Sequence, residues 1–357
     1  MLLKLEARGE ADRRMVYATP LLAVLLTLIT GFFLFLFMGH NPFEALYTFF
    51  IMPINNSYGV SELLVKATPI TLCAVGLAMG FRANVWNIGA EGQLTLGAIF
   101  GGSVALFFYE VDSVFVIPLM MIAGVLGGAL WAAIPAFLRT RFNASEILVS
   151  LMLTYVAFQL LSYLVHGPLR DPDGFNFPES RLFSDSAIVP MIWEGTRFHM
   201  GGLVALFVVL AGWMMISRHL IGFQIRVIGM APKAASYAGF SEKKLIWFTL
   251  LLSGGLAGLA GMFEVSGPVG QLVPSISPGY GFTAIIVAFL GRLHPVGIML
   301  AGLLVALTYL GGESGQIAMG MPDAVTGVFQ GMLLFYLLAC DVLIKYRIVH
   351  AFKTANS

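Results

Sequence analysis

The chain is short of charge. Asp, Glu, Lys and Arg make up 11% of its 357 residues, against 58% hydrophobic, where a soluble domain carries about a quarter charged. That shortage excludes an ordinary soluble enzyme and a disordered chain. A net charge of +1 offers no basic surface for nucleic acid, so no nucleic-acid partner is expected. Cysteine is as scarce. Cys73 and Cys340 both lie inside apolar runs, which excludes a disulfide framework and argues against a cysteine-based metal site. No G-x-x-x-x-G-K-[ST] phosphate loop occurs, nor His-Glu-x-x-His, Cys-x-x-Cys or G-x-S-x-G. The chain is therefore expected to have no ATP site, no catalytic group and no cofactor of its own. Carboxylates are rare within the apolar runs: Glu91, Glu264, Glu313 and Asp341 fall at or near their ends. A proton- or sodium-driven carrier usually keeps such groups in mid-span, so uphill transport here would draw on another subunit.

Long apolar runs are what the chain does have. Ten are read, at 16–38, 63–81, 92–109, 114–138, 146–166, 200–217, 246–263, 279–291, 296–311 and 323–344. A span needs about 20 residues, so 279–291 crosses only with help from its flanks. The first run lacks a small-residue cleavage site and reads as an uncleaved helix. With the N-terminus inside, sixteen of the twenty Lys and Arg fall on inner segments, leaving Lys66, Arg170, Arg181 and Arg197 outside. The positive-inside rule thus predicts both termini cytoplasmic. The expected fold is an all-α polytopic membrane protein of about ten transmembrane helices. Five plus five spans imply inverted halves. The layout is a cytoplasmic segment 1–15, a membrane domain 16–344 and a cytoplasmic tail 345–357. The domain carries an outer loop at 166–200, either a solvated connector or a docking surface, and an inner loop at 218–245.

Three segments stand out. Phe81 to Gly97 reads FRANVWNIGAEGQLTLG and places Trp86, Asn87, Glu91 and Gln93 between two apolar runs. It reads either as a broken-helix solute site or as a short cytoplasmic turn with a polar helix start. Glu91 should face protein or water, because a lone Glu at a span centre costs roughly 2.5–3.5 kcal/mol. In the inner loop, Pro232 at a first turn and Gly239 just past the end bracket a helix of about two turns. Ala231 is a poor cap for it, and a helix this short needs a partner surface. Ser277 to Leu303 holds a Gly/Pro-interrupted short span, a mark of pathway-lining elements. Its Tyr280 and Phe282 either flank a solute or simply pack. Glycines at 124, 127 and 128, and at 254, 255, 258 and 261, permit close helix packing.

VWNIGAEGQLTLGA at 85–98, ASEILVSLMLTYVAFQLLSYLVHGPLRDP at 144–172, IGMAPKAASYAGFSEKKL at 228–245 and FLGRLHPVGIMLAGLLVA at 289–306 together resemble an ABC importer permease. The family is the one serving branched-chain amino acids, ribose and other simple sugars, and nucleosides; the first of these stretches resembles its nucleoside/simple-sugar branch. The resemblance implies a transport subunit, not an enzyme, in a bacterial inner membrane. It implies a cytoplasmic ABC ATPase that hydrolyses ATP, a second and shorter permease, an extracytoplasmic solute-binding protein and the surrounding lipid bilayer as partners. It further implies that Gly229, Pro232, Lys233, Ala234, Ala235, Tyr237 and Gly239 form the contact with the ATPase. Ala231 departs from the Asn that the family usually has there. Trp86, Asn87, Glu91, Gln93, Tyr280 and Phe282 are the candidate border of the solute pathway. Nucleosides are the leading solutes and simple sugars the alternative; a stand-alone secondary carrier is the reading from a different class.

Overall fold

Every apolar run read from the sequence is helical in the computed structural model, which describes residues 3–7 and 13–350. In chain order, the helices are α1 (Arg13–Phe37), α2 (Pro42–Phe50), α3 (Ser57–Arg82), α4 (Ala90–Phe107), α5 (Val116–Phe142), α6 (Glu146–His166) and α7 (Gly201–Arg218). They continue with α8 (Leu220–Met230), α9 (Pro232–Tyr237), α10 (Glu242–Glu264), α11 (Tyr280–Leu290), α12 (Pro295–Met319) and α13 (Ala324–Lys345). Eight of these are long and apolar enough to cross a membrane. The other two runs fall short for different reasons. α4 has 18 residues but carries Glu91 and Gln93 in its first turn. α11 has only 11 residues.

The terminal segments depart from an all-helical chain. β1 (Leu3–Ala7) and β2 (Tyr346–His350) pair antiparallel, with Leu5 opposite Ile348. LKLEA alternates apolar and polar residues, and RIV supplies β-branched ones, which suits a pleated ribbon. Residues 1–2, 8–12 and 351–357 of the predicted tails lie outside the described residues. α2 was not among the predicted elements. Its signals are local: Asn41 accepts a hydrogen bond from the Phe43 N–H at 3.1 Å, and Pro42 occupies the first turn.

The chain divides into two units, residues 1–55 with 307–357, and residues 56–306. In the first, Phe35, Phe49 and Phe329 stack at the centre of a cluster with Ala45, Met321 and Val325. In the second, α10 packs on α3, α4 and α5. Glycines of facing helices bring the backbones together: a Cβ on Gly97 would lie 2.1 Å from the Gly258 carbonyl oxygen. The long loop at 166–200 is folded within this unit. Its backbone N–H groups at Ser180, Phe183 and Val189 donate to Leu272, Gly270 and Ser266 at 2.8–2.9 Å. Arg197 forks onto Glu62 of α3, with Nε donating to Oε1 at 2.9 Å.

Candidate functional site

The break between α3 and α4 is made by chain chemistry. Asn84 takes a left-handed conformation at φ 57°, which Asn tolerates, and ends α3. Asn87 then folds back on the next helix. Its Nδ2 donates to Gln93 Oε1 at 2.8 Å and to Ser253 Oγ at 3.0 Å. Gln93 Nε2 returns a bond to Asn87 Oδ1 at 3.1 Å, and the Gly89 N–H donates to the same oxygen. Asn87, Glu91 and Gln93 are each 1% exposed, so these amides satisfy one another.

Glu91 faces protein, and it caps a helix other than its own. The Gly281 N–H donates to its Oε2 at 2.5 Å, and Ser277 and the backbone of Gly279 and Phe282 lie beside the carboxylate. These are the orphan donors and the positive end of α11, where a carboxylate is favourable. The approach is close enough that a Cβ on Gly281 would lie 2.3 Å from the Glu91 nitrogen. Ser277 Oγ completes the cap, accepting from the Gly279 and Tyr280 N–H groups at 3.1 and 2.9 Å. A short helix of 11 residues is thus held at its N-terminus by a carboxylate from α4. Tyr280 is buried and Phe282 half-buried.

Trp86 belongs to a different cluster. Its ring lies tilted against Phe81 and stacks with Phe289, at centroid distances of 5.0 and 5.9 Å. Its indole N–H donates to Asn84, and its backbone N–H donates to Glu146 at 3.1 Å. Glu146 also pairs with Arg139. The six residues therefore divide: Asn87 pairs with Gln93, Glu91 meets the α11 start that carries Tyr280 and Phe282, and Trp86 packs apart from them. Sequence reasoning missed Ser253, Ser277 and Glu146. Ser277-Pro-Gly ahead of an apolar run was a helix-start signal; Ser253 and Glu146 carried none.

The loop at 218–245 holds the predicted short helix. α9 runs Pro232–Tyr237, and Gly239 sits at φ +80° just beyond it. Ala231 provides no side-chain cap. Only Ala235 is buried, in a cluster with Ile225, Ile228, Leu245 and Val85. Pro232, Lys233 and Ala234 are exposed, and Tyr237 is 95% exposed. Gly229 also packs within the chain: a Cβ there would lie 1.9 Å from the Arg82 carbonyl oxygen, so it holds the end of α8 against the end of α3. Among the described residues, no group of His, Cys, Asp and Glu is placed to hold a metal ion.

The comparisons with known proteins agree with this architecture. A family model described as branched-chain amino acid transport system permease component matches residues 59–338. A glucose ABC transporter permease protein of Haloferax volcanii, TsgB13, is 36% identical and covers 98% of this chain and 94% of its own. The guanosine ABC transporter permease protein NupP of Bacillus subtilis is 30% identical, over 89% of this chain and 91% of its own. The nucleoside ABC transporter permease protein NupB of Lactococcus lactis is 27% identical over 89% of each. With a family model spanning most of its length and two such relatives at 30% identity or above, the chain belongs to the ABC transporter permease components of the branched-chain amino acid transport family.

Proposed function

We propose that this chain is the membrane-spanning permease of an ABC importer for nucleosides or related ribose-containing solutes. It crosses the cell membrane ten times with both termini cytoplasmic. Two cytoplasmic ABC ATPase subunits drive it, a second permease pairs with it, and a solute-binding protein delivers to its outer loops. Solute passes by alternating access at the interface between the two permeases. The binding protein holds most of the specificity, so the membrane needs no tight site. Trp86 and Phe282, both half-buried, border the pathway, and Asn87, Glu91, Gln93 and Tyr280 hold α4 and α11 that frame it.

The observation that carries this reading is α9. A six-residue helix cannot stand alone in water, and this one is anchored by a single buried alanine. Its exposed side chains suit docking into a groove of an ATPase, and the chain has no phosphate loop of its own. The solute follows from the relatives, two of which are named for guanosine or nucleosides. The glucose relative at 36% identity supports a simple-sugar permease as the second reading.

The test is uptake into proteoliposomes holding the complete importer and its binding protein. Labelled guanosine is expected to accumulate only with ATP, and to stop when residues 233–239 are replaced by a Gly-Ser linker. Competition by glucose but not by nucleosides would establish the sugar reading. Accumulation without ATP, driven by an ion gradient, would overturn the importer reading.

A further inference from the structure

The turn between α11 and α12 is conformationally costly. Arg292 and Leu293 both adopt left-handed backbone, at φ 58° and 55°, a region that bulky non-glycine residues rarely occupy. Two in succession persist only when the surroundings hold them. The turn is closed from within: the Leu293 N–H donates to Ala288 at 2.8 Å, and the Arg292 N–H donates to Phe289 at 2.9 Å. Backbone contact between Gly291 and Gly297, where an added Cβ would meet the Gly291 oxygen at 2.4 Å, binds α11 to α12 at the corner. The Leu293 carbonyl takes a bond from outside the turn. Arg82, the last residue of α3, donates its Nε to that oxygen at 2.9 Å across 211 residues of sequence.

Arg82 is held from its other side as well. Its carbonyl oxygen is the atom against which Gly229 packs, three residues before α9 begins. Ala83 and Val85, which follow Arg82, lie in the same buried cluster as Ile228 and Ala235. The ring of Phe289, on the last turn of α11, stacks on Phe81 with centroids 5.2 Å apart. The α9 base, the α3 end and the α11–α12 corner thus share one continuous set of contacts, in which Arg82 is the residue joined to both sides.

We propose that Arg82 is a positioning residue for transport, a strut that carries displacement of α9 to the α11–α12 corner. α11 is the helix whose far end Glu91 caps, so movement of the corner reaches the framing helix of the pathway. This inference rests on α9 being the helix that the ATPase moves. A guanidinium suits the task because its donors lie in a rigid plane, where a lysine ammonium sits on a flexible stem.

The test uses the complete importer in lipid nanodiscs with spin labels at Met230→Cys, beside the start of α9, and His294→Cys, both exposed positions. The native Cys73 and Cys340 are buried. In the otherwise unaltered importer, the 230–294 distance is expected to stay constant between nucleotide-free and ATP-bound states, while label-to-ATPase distances change. In Arg82→Gln, the 230–294 distance should shift on ATP binding. The ATP hydrolysed per solute imported should rise by about tenfold, the equilibrium weight of one hydrogen bond to a charged group. Arg82→Lys, which keeps a donor, should recover part of the coupling. An Arg82→Gln importer with unchanged coupling and unchanged distance overturns the strut. So does independent movement of the two labels in the unaltered importer, a result that stands even if Arg82→Gln does not fold. Failure of α9 to move at all with ATP instead overturns the docking role of α9.

Discussion

Glycines spaced three or four apart recur along this chain, and the structure treats two sets of them oppositely. In the unit of residues 56–306, α10 meets α5 and α4 through them. A Cβ on Gly258 would lie 2.1 Å from the Gly124 carbonyl oxygen, and one on Gly128 would lie 2.1 Å from that of Gly254. No side chain fits at such a distance. Two helix backbones in contact gain dispersion and weak Cα–H···O bonds, the means of association left to helices when lipid is as apolar as leucine. In the other unit, Gly327 and Gly331 of α13 have the same spacing, yet an added Cβ at either meets nothing within 4 Å. The motif marks where close approach is possible. Which helix approaches, or whether any does within this chain, is settled by the rest of the fold.

Gly258→Ala tests the packed side of this contrast most severely. The methyl would be opposed by backbone, which cannot rotate away, and overpacking typically costs about 1–3 kcal/mol even where side chains can yield. We expect little or no folded protein by size-exclusion in mild detergent; a monodisperse variant with an unchanged melting temperature would show that α10 and α5 can separate. Next comes Glu91→Ala, which leaves the α11 donors without their acceptor in a buried setting. An unmet buried donor costs about 1–3 kcal/mol, so the melting temperature should fall clearly. Glu91→Gln, which keeps one acceptor oxygen, should lose less. Equal loss in the two variants would remove capping as the role of Glu91.

The long loop at 166–200 gives a smaller, pH-dependent effect. His199 is 3% exposed, against Phe263 and Gly267, and burial pushes its imidazole down to about 4. Between the ordinary His value near 6.5 and that lowered one, the unfolded chain binds a proton that the folded chain does not. Stability is therefore full above pH 6.5 and is lost as the pH falls towards 4. Melting at pH 7.5 and pH 5 should show the drop, and His199→Gln should flatten it. The smallest effect is expected at the open glycines. Gly331→Ala should leave monomer stability unchanged or raise it by up to about 1 kcal/mol, the helix propensity difference. A marked loss of melting temperature in the isolated chain would mean that α13 packs more closely than its open surface allows.

Much of the site was legible from residue order. The short helix at 232–237 followed from Pro232 and Gly239, and the polar break around Asn87 from its setting among apolar runs. The long loop at 166–200 was recognisable, but its order was not. It depends on backbone bonds to residues 266–272 and on Arg197 meeting Glu62, 135 residues away, and such pairings have no local signature. Gly229 was placed with the α9 residues by the family resemblance, and its packing against Arg82, a matter of helix crossing, had no trace in the sequence.

Composition and periodicity by themselves determined that this chain lives in lipid, since no soluble core could bury an apolar fraction of 58%. They also determined where its helices run, because hydrogen bonding within a helix satisfies the backbone locally and leaves a continuous apolar run as its trace. Only the tertiary structure decided what Glu91 does. A carboxylate among apolar residues must find a partner, and its sequence neighbours supply none. The N-terminus of α11, 190 residues further on, supplies the donors, and nothing in either segment alone names the other.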